Sequence, residues 1–521
     1  MLKFMRTGSA PVLLLMLGLL AGHVHAQEVT LRSVDGDLEM TGRLEAFDGS
    51  HFRLATSFGT VELAADSVTC DGEACPDLLA DVTDFIVAGS STIGTELMPA
   101  LIESYAYDIG GDLEVERIAE DRVVYRIIDA QGALYAAITL GTGRSDLAFS
   151  ALETGDASIG ISSRRPTAEE RNRLLQLGKG DLTSAAQEHV LGLDGLAVVV
   201  NPDNPIRALA IDEISDIFAG NIRNWRALGG PDARINVYRG DAQTGATQMF
   251  NTLVMAPTRR SLTATAFIKP DGNSVSTSVE DDRYGIGLTN MVDMQNTKPL
   301  SLVSVCGQVS SLSEFLIKTE EYPLSRRMFA YANSGNMPAK AAEFLAYITS
   351  DEAQSVVEQA GYVSQSVDVA SLNDQGRRLA HALLAERDLT SLTRLQDMVT
   401  SLQDAEQLSL TFRFLTGSVT PDNRAVSGIA RLADRVRKGD FNGKQLMIVG
   451  FADSSGAISE SQRLSQARAD SVRDLLVGAV GDENAGNVQF TSIGYGKLFP
   501  VGCNETQGGR RANRRVEIWV R

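Results

Sequence analysis

Four short stretches place hydroxyls, glycines and cations where an apolar run gives way to a helical one. They are Gly89-Ser90-Ser91-Thr92, Gly143-Arg144-Ser145, Ser162-Ser163-Arg164, and Arg239-Gly240-Asp241 followed by Thr244-Gly245. A single junction of this kind is a helix cap, because Ser and Thr satisfy the free N–H groups of a first turn. The same N–H groups, with the helix dipole, also attract phosphate-like anions. Four such junctions in one region point to loops converging on an oxyanion, held by backbone N–H groups, hydroxyls and a guanidinium.

Other chemistries lack their parts. The five histidines are scattered, two of them at His23 and His25 near the N-terminus, and His51, His189 and His381 share no local motif. No HExxH, CxxC or GxSxG pattern occurs, so zinc and serine-hydrolase catalysis have no candidate residues. No catalytic residue, metal or cofactor is expected, and the chain reads as a binding protein rather than an enzyme. The formal net charge of −18 sets up a field that disfavours nucleic acid and anionic lipid. A small anion is still accessible, since local dipoles and one buried Arg act over a few ångströms.

The elements that must position these residues follow from patterning over 521 residues, a length that suggests two or three domains. Lys3 and Arg6, an apolar run from Val12 to Leu20 and Val24-His25-Ala26 form a secretory signal over 1–26, too short for a membrane span. Residues 27–80 alternate with period two, and Asp35-Gly36 and Asp48-Gly49 punctuate them as hairpin turns do, giving a small all-β module. From 81 to 370, short apolar strands such as DFIVAGS, GLAVVVN and YGIGLTN alternate with helical stretches, as in α/β layers. Residues 371–405 read as a polar helical connector, and 406–521 as a compact α+β domain. The fold class is therefore multidomain. Four cysteines in an exported chain favour disulfides: Cys70 and Cys75 bracket a turn-like spacing, while Cys306 and Cys503 are either two free thiols or a bridge between domains.

The stretches LDGLAVVVNPDNPI, IDEISDIFAGNIRNWRALGG, YRGDAQTGATQMF, YGIGL and YPLSRRMFAY together resemble the PstS-like phosphate-binding proteins of ABC importers, over about 290 residues. The resemblance implies a two-lobed periplasmic-binding-protein clamshell with two crossing strands, closing on a dehydrated phosphate. Position by position it assigns Ser91 and Thr92 to the first phosphate loop, Arg144 and Ser145 to the second, Ser162 and Ser163 to the third, and Arg239, Thr244 and Gly245 to the fourth. Asp241 matches the residue that braces the family arginine. The hydroxyls of the first loop then act as ligands and caps at once. Three departures stand out. Ser163 occupies a position where relatives carry an Asp that accepts the proton of hydrogen phosphate, a role Asp146 is placed to take over. Arg144 replaces a small residue, and the fourth loop is one residue longer, with Ala246 for Thr. Phosphate and sulfate both remain open as ligands.

The run IVGFADSSG, LSQARADSV and IGYGKLFPVGCNETQGGRRANRRVEI resembles the OmpA-like peptidoglycan-binding domain, over roughly the last 115 residues. The resemblance assigns Asp453 and Arg468 to the ammonium and carboxylate of diaminopimelate in the wall peptide, a charge match that Arg can make bidentately. Arg515 is expected to support the fold or the site edge. Phe412-Arg413-Phe414-Leu415 stands where relatives carry a polar residue near the ligand and is expected to offer a cation there. Together the resemblances imply a periplasmic oxyanion-binding protein for ABC-type uptake, held on the peptidoglycan of a Gram-negative envelope, with a permease as its partner. The alternative is a wall-associated structural, adhesion or scavenging protein without a transport role.

Overall fold

The computed structural model describes residues 28–33, 38–47, 51–64, 67–72, 75, 83–242, 244–332, 337–386, 388–481 and 486–521. The signal segment 1–26 and the two Asp-Gly turns lie outside these. The chain divides into two compact units, Met1–Ala80 and Asp81–Arg521.

The first unit is a five-stranded sheet in the order Gly59–Ala64, His51–Thr56, Glu39–Phe47, Glu28–Ser33, Val68–Asp71, antiparallel throughout. Its period-two pattern buries one face: Val29, Leu31, Phe52, Leu54 and Val68 form the core, with Cys70 and Cys75 beside it. Those two cysteines are disulfide-bonded.

The second unit begins with two α/β lobes built on one long sheet. Strand Glu188–Val200 pairs antiparallel with Ser325–Ala332, and these two strands cross between the lobes. On one side lie Ile159–Ser162, Asp84–Ser90 and Leu134–Gly143, mutually parallel, then the hairpin strands Arg122–Ile128 and Asp112–Ala119. On the other lie Gly285–Asn290, Asn236–Gly240 and Phe267–Lys269, again parallel to one another. The first-lobe core gathers Val87, Ile93, Leu101, Ile138 and Phe344, and the second-lobe core Val198, Phe218, Trp225, Phe250 and Ile286. The near-continuous apolar runs of the inner strands Ile159–Ser162 and Gly285–Asn290 reflect burial on both faces, as parallel sheets require.

The C-terminal sheet runs Val369–Ser371, Glu406–Arg413, Arg515–Val520, Gln445–Gly450, Gln489–Gly494. Alternation divides it cleanly. Leu446, Ile448, Val516 and Ile518 face helices Arg424–Arg437 and Ile458–Val480, whereas Met447, Val449, Phe451 and Trp519 face Leu395, Met398 and Leu402 of helix Leu389–Leu402. The stretch expected to be a polar connector is helical, but it supplies the second layer of this sheet. Its apolar positions recur at spacings of three and four, which makes a buried stripe.

The two-lobed part and the C-terminal domain meet over a charged seam, and Cys306 and Cys503 are joined across it by a disulfide. Arg413 donates to the carbonyls of Thr319 and Glu320 in the second lobe.

Candidate functional site

The three parallel strands of the first lobe end together: Gly89 pairs with both Thr142 and Ile161. Their following loops therefore emerge side by side at the carboxyl ends, where open α/β sheets bind ligands. Gly89 is required there. Its φ is +146°, and a Cβ would stand 1.9 Å from the Ile161 carbonyl oxygen.

Of the first loop, Ser91 and Thr92 open the short helix Ser91–Gly94, whose N-cap is Ser90. Ser90 makes no side-chain cap bond, so the capping role expected of these hydroxyls is not seen. Among the described residues, the Ser91 and Thr92 hydroxyls have no protein hydrogen-bond partner and are available to a ligand. The Thr92 carbonyl accepts from the Tyr362 hydroxyl at 2.7 Å, which fixes the loop from behind.

The second and third loops are brought together. Ser145 and Ser163 share a hydroxyl–hydroxyl bond of 3.0 Å, and the Ser163 N–H donates to Ser145 Oγ at 3.3 Å. Ser162 is turned away, fully buried, with its hydroxyl donating to the Arg164 carbonyl at 2.8 Å. Arg144 is exposed and faces Asp146 at 3.4 Å, so neither side chain joins Ser145 and Ser163. Arg164 is committed to Glu170 through two bonds of 2.8 Å.

The fourth loop leaves strand Asn236–Gly240. Thr244 Oγ1 donates to the Asp241 carbonyl at 2.9 Å, and Thr247 Oγ1 donates to the Gly240 carbonyl at 3.1 Å, which shapes the turn into helix Gly245–Phe250. Arg239 donates from Nη1 to the Gly240 carbonyl at 2.9 Å, while its Nε is buried without a partner among the described residues. Burial pulls the Arg239 guanidinium below its ordinary pKa, and the Asp241 charge opposes this. Gly245 meets the other lobe: a Cβ there would lie 2.3 Å from Thr92 Oγ1 and 2.9 Å from Arg326 Nη2.

Arg326 is the site residue that sequence reasoning missed. Its side chain is largely buried, with Asp194 Oδ2 at 2.8 Å and the Gly245 carbonyl at 3.2 Å. Its signal was present in YPLSRRMFAY, but its partner lies 132 residues earlier. Asp293 also lines this region, its carboxyl lying against Gly272. Burial, then the charges of Glu96, Asp194 and Asp271, pushes Asp293 up to about 6.

In the C-terminal domain, strand Gln445–Gly450 packs closely on helix Ile458–Val480; a Cβ at Gly450 would stand 2.0 Å from the Ser465 carbonyl oxygen. This brings Asp453, just past the strand, near Arg468, one turn beyond Ser465. The two are not bonded to each other. Asp453 accepts from Arg514 at 2.7 Å and from the Ser455 N–H at 3.0 Å. Arg468 is fully buried, donates from Nε to the Ser418 carbonyl at 3.0 Å, and lies over the Phe414 ring at 5.1 Å. Burial and the Arg514 charge push it down to about 10, against the pull of Asp453. Arg514, present in the quoted run without an assigned role, completes the group. Arg515 is buried and bonds Glu517 at 2.7 Å. Arg413 does not reach this site: Phe412 and Phe414 belong to the helix-facing core, and the residue between them points to the other side. Among the described residues, one group of three metal-type donors occurs, Cys306, Cys503 and Glu505, and both sulfurs are spent in the disulfide.

Comparison with known proteins agrees with this division. Residues 134–352 match the PBP superfamily domain, and residues 413–514 match the OmpA family. The chain carries a PBP-like domain and an OmpA-like domain. The phosphate-binding protein PstS of Bacillus subtilis is 27% identical over 224 residues, 43% of this chain and 68% of that protein. Outer membrane porin F of Pseudomonas aeruginosa is 36% identical over 114 residues, 22% of this chain and 31% of that protein. A solved ABC-type phosphate transport receptor from Vibrio cholerae is 24% identical, covering 54% of this chain and 99% of its own, with a TM-score of 0.42. The matched PBP-like segment contains the second, third and fourth loops; Ser91 and Thr92 precede it. No helix among the described residues is long and apolar enough to cross a membrane.

Proposed function

We propose that the PBP-like domain captures phosphate, or an oxyanion of its size, for ABC-type uptake, and that the OmpA-like domain holds the receptor on peptidoglycan. The observation that carries the reading is the Arg239 guanidinium at the carboxyl end of its strand, with a buried Nε that no described protein group satisfies. An oxyanion supplies the missing acceptor, and the free hydroxyls of Ser91 and Thr92 and the N-terminus of helix Gly245–Phe250 complete its coordination. The Ser145–Ser163 hydroxyl pair replaces the family carboxylate, so proton-based rejection of sulfate is weakened in this chain. Asp453, Arg468 and Arg514 form the charged group for diaminopimelate, whose ammonium and carboxylate match a carboxylate beside two guanidiniums. The role is binding, with no bond made or broken. A permease partner and a periplasmic location belong to the same proposal.

The disulfide between the two domains favours a second reading within it, a receptor that retains its anion at the wall rather than shuttling it. Calorimetric titration of the full chain with inorganic phosphate tests the first statement: saturable one-to-one binding is expected, and no heat at millimolar phosphate would end it. Turnover of an aryl phosphate by the purified chain would show an enzyme instead.

A further inference from the structure

Strand Ser325–Ala332 carries two adjacent arginines whose side chains leave opposite faces, as strand geometry dictates. Arg326 faces the cleft. Its Nε and Nη2 donate to Asp194, its register partner on the other crossing strand, and its Nη1 donates to the Gly245 carbonyl. Arg327 faces the OmpA-like domain. Its Nη2 donates to Asp422 at 3.1 Å and to Glu320 at 3.0 Å, and its Nε donates to Glu320 as well. Glu320 accepts in turn from Arg424 of the OmpA-like domain at 2.6 Å. Arg327 and Arg424 are both about one-tenth exposed or less, so their charges depend on these partners.

The seam reaches beyond the crossing strand. Arg431 bonds Asp351 of the first lobe at 2.6 Å, and the disulfide binds Cys306 of the second. Asp422 also ends the segment whose Ser418 and Leu415 carbonyls accept from Arg468. Crossing strands are where two lobes rotate against each other, and here the OmpA-like domain holds one of them through Arg327.

Resting on the proposed anion site, we propose that Arg326 is a positioning residue of the cleft and that the OmpA-like domain, acting through Arg327, sets how tightly the cleft holds its anion. Arg326 pairs with Asp194 and donates to the Gly245 carbonyl, which ties the crossing strand to the fourth loop. Any shift of the strand at 327 is carried by the planar peptide to 326, and from there to Gly245.

The test uses the full chain with its disulfides intact. Arg327→Gln and Asp422→Asn alter none of the residues assigned to the anion, although Asp422 also lies 4.0 Å from Arg165 just past the third loop, and each should weaken inorganic phosphate binding at least fivefold. The double variant should be no weaker than the worse single one, and Arg327→Lys should recover part of the loss. Arg326→Gln should weaken binding and Arg326→Lys recover part of it. Phosphate affinity within twofold of wild type in both Arg327→Gln and Asp422→Asn would overturn the proposal. A second measurement needs no anion: amide hydrogen exchange across 245–250 should quicken in Arg327→Gln and Asp422→Asn while the first-lobe helix Leu97–Asp108 keeps its protection. Unchanged exchange at 245–250 would also overturn it. A wild-type chain that binds no phosphate refutes the anion site, and the exchange result still decides the coupling.

Discussion

Gly245→Ala isolates the closure of the two lobes from every other property of the cleft. Gly245 opens helix Gly245–Phe250 and its backbone does not need a positive φ, so alanine suits the position locally and is the better helix former. The obstacle is the opposite lobe. The added methyl would stand 2.3 Å from Thr92 Oγ1, 3.0 Å from Thr92 Cγ2 and 2.9 Å from Arg326 Nη2. Ordinary contact begins near 3.4 Å, so the lobes or the side chains must give by about 1 Å, an overpacking that costs about 1–3 kcal/mol. The cost falls on the closed form alone, because separated lobes relieve it. Phosphate affinity should therefore fall about 5- to 150-fold while the melting temperature without phosphate falls little. Calorimetry and thermal melts with and without phosphate read both quantities. Thr92→Ala removes two of the three close atoms, the nearest included, and leaves Arg326 Nη2, so in the double variant the Gly245→Ala penalty should shrink. Wild-type affinity in Gly245→Ala, or the same penalty with and without Thr92, would refute the argument that these residues meet on closure.

Arg239→Ala should weaken phosphate at least about tenfold, since a charge-assisted bond contributes about 1.5–3 kcal/mol; calorimetry with unchanged affinity would remove Arg239 from the site. Sulfate should compete with phosphate in the same titration, because Ser163 offers a hydroxyl rather than a carboxylate, and failure to compete at large excess would show that another group reads the proton. Asp293 sits near 6 against an ordinary 3.8, so folding costs nothing below the lower value and loses stability as pH rises through the upper one. Asp293→Asn should accordingly gain about 1–2 kcal/mol at pH 8, after solvent screening, and nothing at pH 3.5, read from melts across pH. Asp453→Asn in the full chain should reduce sedimentation with purified peptidoglycan, and equal sedimentation would leave the charged group a structural one. A fragment beginning at 406 should melt well below one beginning at 366, because Met447, Val449, Phe451 and Trp519 lose their helical cover, on the order of 6 kcal/mol together.

The strands were legible because their apolar runs are short, unbroken and bounded by glycine and hydroxyl residues; DFIVAGS and GLAVVVN fall on strands as read. Ser145 and Ser163 were assigned from resemblance, but their direct contact depends on the register of two non-adjacent strands and could not be read locally. Arg326 was hidden for the same reason, since its partners arrive from other segments. Composition alone makes 371–405 look like a polar connector, but periodicity marks a buried face. Leu395, Met398 and Leu402 already carry the three-and-four spacing of a buried stripe. Alternation already places Arg413 away from the ligand side, for the buried Phe412 and Phe414 on either side leave only the opposite face to the residue between them.

The two disulfides differ in how soon a growing chain can close them. Cys70 and Cys75 are 5 residues apart, whereas Cys306 and Cys503 are separated by 197. A chain emerging from its N-terminus presents the first pair together, and a short loop closes at little entropic cost. By the time Cys306 appears, the earlier sulfurs can already be spent, and its thiol waits until the chain has grown past the 197-residue separation. Vectorial emergence thus sorts four cysteines into one pairing out of the three possible, and makes the long bridge a seal set only once the OmpA-like domain has emerged.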